Sequence, residues 1–177
     1  MTQLATDTEI KKKEIDNKFL IPEIISMLNA GHTVTLGLRG VSMRPFLEDR
    51  RDKAILRKPQ SIHVGDAVLA EVAPKRYVLH RIIAIEGDKV TLRGDGNLAN
   101  ETCSISDVHG YAEAFYRKGR TKADSTSGRK WLLYSYIWTR LYPIRRYLLF
   151  AYRIYLRLVG TNKKVVNNKK VLGVNNN

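Results

Sequence analysis

The chain has 177 residues, 44% of them hydrophobic, one cysteine and a net charge of +14. The length suits one domain with extensions. The composition excludes collagen-like and globally disordered chains, and the lone Cys103 excludes an intrachain disulfide. The charge is lopsided: residues 1–116 balance 16 Lys and Arg against 16 Asp and Glu, whereas residues 117–177 carry 15 against Asp124 alone. A neutral body with a basic end suggests a globular domain held to an anionic surface, lipid or nucleic acid.

Residues 1–14 read as a solvated, flexible arm with charges at Lys11, Lys12, Lys13 and Glu14. They lack the apolar run of a signal peptide. No stretch reaches the roughly 18–20 uncharged apolar residues of a membrane span. The expected location is therefore cytoplasmic, peripheral to a membrane if the basic end binds one. Residues 15–30 predict a helix with Phe19, Leu20, Ile24, Ile25, Met27 and Leu28 as its apolar stripe, Pro22 in its first turn and Gly31 just past its end.

From residue 32 the period changes to two. Strands are predicted over residues 32–39, 53–57, 66–72, 76–86, 89–93 and 108–117, with Gly87-Asp88 closing a hairpin between the fourth and fifth. A helix followed by five or six antiparallel strands predicts a mainly β fold, an antiparallel β-sandwich or partial barrel. Residues 118–130 are small, polar and aperiodic, and predict a flexible linker. Residues 131–159 form a basic, aromatic helical segment, split by Pro143 into two short helices. Residues 160–177, rich in Asn, Lys and Val, are expected to be a disordered tail.

Four short signals bear on chemistry. Ser42-Met43-Arg44-Pro45 follows a strand and Gly40, so a turn there exposes the Ser42 hydroxyl; a serine needs a neighbouring base to act as a nucleophile. Val64-Gly65-Asp66 reads as a turn. His80-Arg81 lies in a strongly β-type run whose alternation puts Val78, His80 and Ile82 on one face. A histidine there needs a hydrogen-bond partner and is also poised to act as a base near neutral pH. Gly94-Asp95-Gly96-Asn97 closes the hairpin, with Glu101 beyond it, and supplies carboxylates able to orient an imidazole. His32, His63 and His109 show no metal-ligand spacing, and neither metal nor cofactor is expected.

These four signals, in this order over roughly residues 32–116, resemble the type I signal peptidase family. The likeness is to the branch of archaea and the endoplasmic reticulum that uses histidine in place of lysine; the self-cleaving repressors resemble it in fold. The resemblance implies a peptidase domain over residues 15–117, with Ser42 as nucleophile and His80 as general base. Asp95 matches the family's glycine-aspartate-asparagine motif and Glu101 its second acidic position, so both stand as candidates for the acid of the triad. It implies a peptide or preprotein substrate cut through an acyl-enzyme, with small residues before the cleavage point. The chain departs from the family in lacking an N-terminal membrane anchor before the serine motif, in its trimmed insertions and in its C-terminal extension. A non-catalytic binding or regulatory module with the same fold is the alternative, as is a catalytically silent scaffold.

In the second helix of the tail Arg146, Arg153 and Arg157 share a face, and Ile144, Tyr147, Leu148, Ala151, Tyr155 and Leu158 share another. Such a helix suits peripheral association with a membrane surface through residues 131–159. Packing on the domain or on a second copy of the chain, with the arginines left solvated, is the plainer reading, and nucleic acid the less expected one.

Overall fold

The structure, a computed structural model, describes residues 17–172, with side chains over residues 20–159. The arm expected over residues 1–14 lies outside the described residues. Helix α1 (Asn17–Asn29) carries Pro22 in its interior rather than in its first turn. It buries Ile21, Ile24 and Leu28 at steps of three and four, as a one-faced helix must.

The described residues form one eight-stranded antiparallel sheet, curled as a partial barrel. Its strands are β1 (Val34–Gly37), β2 (Lys53–Arg57), β3 (Ala67–Ala73), β4 (Arg76–Glu86), β5 (Lys89–Arg93), β6 (Glu101–Ser104), β7 (Val108–Tyr116) and β8 (Asp124–Ser125). The order is β1-β2-β7-β3-β4-β5-β6, with β8 paired to β7. Side chains alternate across a strand, and β3 uses both faces. Ala67 and Leu69 join a core with Leu28, Phe46, Leu56, Phe115 and Trp131, while Val68 and Ala70 join a second with Ile82, Val90, Leu92 and Val108. Burying each large side chain contributes about 1.5–3 kcal/mol.

The predicted hairpin of β4 and β5 is observed at its predicted bounds. β6 and β8 were not predicted, being short, polar and without alternation. The segment expected to be a flexible linker, residues 118–130, is tied to the sheet. β8 pairs with β7 (Ala114 with Ser125, Phe115 with Asp124). The Lys118 N–H donates to Asp52, and both the N–H and hydroxyl of Thr126 donate to the Glu113 carbonyl. Its small polar residues serve here as hydrogen-bond partners.

Helix α2 (Arg129–Arg140) is followed by a 3-10 turn (Tyr142–Ile144) and helix α3 (Arg145–Leu172). α3 is long rather than short and runs through most of the expected tail of residues 160–177. No proline follows Pro143 to remove a backbone donor. Among the described residues no helix is long and apolar enough to cross a membrane.

Candidate active site

Three segments build the site. The first is the loop after β1. Met43, Phe46 and Leu47 are buried and anchor it in the core, leaving Ser42 half-buried beside them. The Arg44–Pro45 peptide is cis. Gly40 N–H donates to Asp49, and Arg44 donates to Glu48, which also accepts the Tyr152 hydroxyl of α3 at 2.6 Å.

The second segment is β4. His80 is 3% exposed, and Arg76, Val78 and His80 share a strand face by alternation. The third is the chain from β5 into β6. Arg81 pairs with Arg93 across the ladder, so the next step brings Gly94 beside His80.

A Cβ on Gly94 would stand 2.4 Å from the Ser42 carbonyl oxygen and 3.0 Å from His80 Nε2. That single point puts the serine loop and the imidazole side by side, with only a glycine between them. A Cβ on Gly96 would come within 2.8 Å of the Val41 carbonyl, and the Gly96 N–H donates to the Ser42 carbonyl at 2.7 Å. Two glycines in this turn therefore permit the close approach of the serine loop.

The other imidazole nitrogen faces Glu101: His80 Nδ1 and Glu101 Oε2 lie 2.7 Å apart. Both atoms are buried, and neither makes a hydrogen bond to another described residue. The two atoms are thus within hydrogen-bond distance without the alignment of a straight N–H···O bond. Arg76 donates to Oε1 of the same carboxylate. Burial pushes the His80 imidazole below its ordinary value; Glu101 and then Asp95 pull it up, and Arg76 pushes it down. The net result favours the neutral ring.

The two candidate carboxylates part company here. Asp95 is 1% exposed and is gripped by Arg81, whose Nε and Nη2 donate to its two oxygens at 2.9 and 2.8 Å. The Tyr134 hydroxyl donates to the same carboxylate, and Trp138 Nε1 to the Asp95 carbonyl. Arg81 is itself buried, donates to the Gly65 carbonyl, and lies over the Trp131 ring at 4.5 Å. Among the described residues the carboxylate paired with His80 is that of Glu101. The structure thus brings Ser42, His80 and Glu101 together, and holds Asp95 in a buried ion pair with Arg81.

Ser42 and His80 line one recess of about 130 Å³, together with Leu38, Met43, Leu47 and Val78. Leu38, Arg39, Tyr77, Val78 and Leu79 are shared with a wider groove of about 440 Å³. β1 is the end strand of the sheet, and β5 pairs with β4 only from Arg81 onward. The groove therefore runs between two strand edges with no partner among the described residues.

Sequence reasoning missed three contributors. Arg76 was legible as the residue two steps beyond Val78 on the face of His80. Tyr134 and Tyr152 reach the site's supports from helices too distant in sequence to leave a local signal. No protein-family model matches this chain, and no curated protein matches it.

Proposed function

We propose that the protein is a serine endopeptidase of the signal-peptidase type, acting through Ser42, His80 and Glu101. The observation that carries this reading is the position of His80, with Nε2 against the Ser42 loop and Nδ1 2.7 Å from Glu101. Substrate aligns the serine and imidazole. His80 Nε2 takes the Ser42 proton as Oγ attacks the scissile carbonyl carbon, and Glu101 holds the Nδ1–H tautomer and stabilises the imidazolium. Backbone amides of the serine loop, that of Ser42 included, stabilise the oxyanion. The imidazolium protonates the leaving amine. Water, deprotonated by His80, then releases the acyl group.

The substrate is a peptide or preprotein segment bound as an extended strand. Two unpaired strand edges supply the main-chain partners that this mode needs. The recess of about 130 Å³ beside Ser42 suits a small side chain. The test is a comparison of protein N-termini in source cells carrying wild-type or Ser42→Ala protein. New N-termini that vanish in the mutant support a peptidase and reveal its substrates. Identical profiles with both proteins expressed overturn the reading in favour of a binding module.

A further inference from the structure

α2 and α3 each turn one face inward and leave the opposite face apolar and bare. On α2 the inner stripe of Trp131, Tyr134, Ser135 and Trp138 packs over Arg81 and Asp95. On its outer side Leu132, Leu133, Tyr136 and Ile137 are 45–60% exposed, with Arg129 and Arg140 at the ends. On α3 the inner side holds Arg145, Leu149 and Tyr152. The outer side carries Tyr147, Phe150, Ile154 and Leu158 at steps of three and four, 41–63% exposed. Arg146 and Arg153 flank that stripe and are exposed.

The geometry points to an anionic lipid surface as the partner of this outer face. A stripe of aliphatic and aromatic side chains flanked by arginines fits the boundary between headgroups and acyl chains. Nucleic acid engages the cations but leaves a stripe of Leu, Ile and Phe without a partner. A second copy of the chain opposes the arginines of this face, Arg129, Arg140, Arg146 and Arg153, with their own copies. The inner faces of the same helices grip Asp95 and Glu48, so docking fixes the serine loop and its supporting turn to the lipid surface.

The experiment is flotation of the Ser42→Ala protein with vesicles of phosphatidylcholine alone or mixed with an equal amount of phosphatidylglycerol. This protein binds lipid whether or not the peptidase reading holds. Flotation with the mixed vesicles only, weakened by salt, is the expected result. The Arg140→Gln/Arg146→Gln/Arg153→Gln variant binds about a hundredfold more weakly, since each cation near an anionic surface contributes about fivefold. Its substitutions lie on exposed side chains, so circular dichroism matches the parent. Phe150→Ser/Ile154→Ser removes the binding that persists in high salt. Absence of flotation with the mixed vesicles overturns the inference. So does binding to duplex DNA that survives Phe150→Ser/Ile154→Ser, or a dimer in which these residues are shielded.

Discussion

Gly94 lies so close to Ser42 that no side chain fits between them: a Cβ at 94 falls 2.4 Å from the Ser42 carbonyl oxygen. Gly94→Ala therefore forces the turn and the serine loop apart. An overpacked site of this kind loses about 1–3 kcal/mol of stability, and a 1 Å misplacement of catalytic groups costs about a hundredfold in rate. Thermal unfolding and cleavage of a substrate peptide check both effects. Gly37→Ala, whose Cβ meets nothing within 4 Å, keeps wild-type stability. Equal activity of Gly94→Ala and wild type disproves the close approach.

The pH profile follows from His80. In the proposed mechanism His80 must be neutral to accept the serine proton, and burial holds its pKa below the ordinary value of about 6.5. The acid limb of kcat/KM therefore lies below that value, and activity rises as pH passes upward through it. The same shift acts on stability. The unfolded chain binds the proton more readily, so stability falls as pH drops from the ordinary histidine value through the folded one. Glu101→Gln removes the charge that raises His80 and moves the acid limb to lower pH. The rate falls by about 10²–10⁴. An acid limb that moves to higher pH in this variant excludes Glu101 as the imidazole's partner.

Arg76 makes the opposite prediction. Its guanidinium holds Glu101 Oε1 and lowers His80 by its charge. Arg76→Gln moves the histidine titration to higher pH, and Arg76→Lys keeps it nearer the wild-type position. Nuclear magnetic resonance of the His80 ring reads this without substrate. Unchanged titration in Arg76→Gln means that the Arg76 charge does not reach the imidazole.

The parts of this fold that announced themselves in sequence are those with a period. The alternation of β4 and β5 and the Gly87-Asp88 turn predict the hairpin at its observed bounds. The motifs at Ser42 and the Gly94–Asn97 turn follow strand ends, where a turn signal and an apolar run meet, whereas His80 lies inside the apolar run of β4. The choice between Asp95 and Glu101 was not legible, because it depends on Arg81. That residue is adjacent to His80 in sequence but points to the opposite face of β4, where it captures Asp95. β6, β8 and the supposed linker were equally silent. Their sheet partners lie nine or more residues away, as for Phe115 with Asp124 or Thr126 on Glu113, so local propensity carries no signal of them.

Asp95 gives the sharpest test of the proposed division between a structural and a catalytic carboxylate. Its partner Arg81 is 1% exposed, and Tyr134 and Trp138 of α2 close over the pair. Removing one member of a buried pair strands the other charge, at a cost of about 3–5 kcal/mol. Asp95→Ala should unfold at correspondingly lower denaturant, with unchanged slope, while Tyr134→Phe costs about 1 kcal/mol for one hydrogen bond. Replacing both partners, in Arg81→Met/Asp95→Leu, restores much of the stability, because no charge is left buried. This double variant keeps His80 and Glu101 in contact and so retains the low acid limb of the wild type wherever it folds. If instead Asp95→Asn abolishes cleavage at wild-type stability, Asp95 serves the imidazole directly and Glu101 does not.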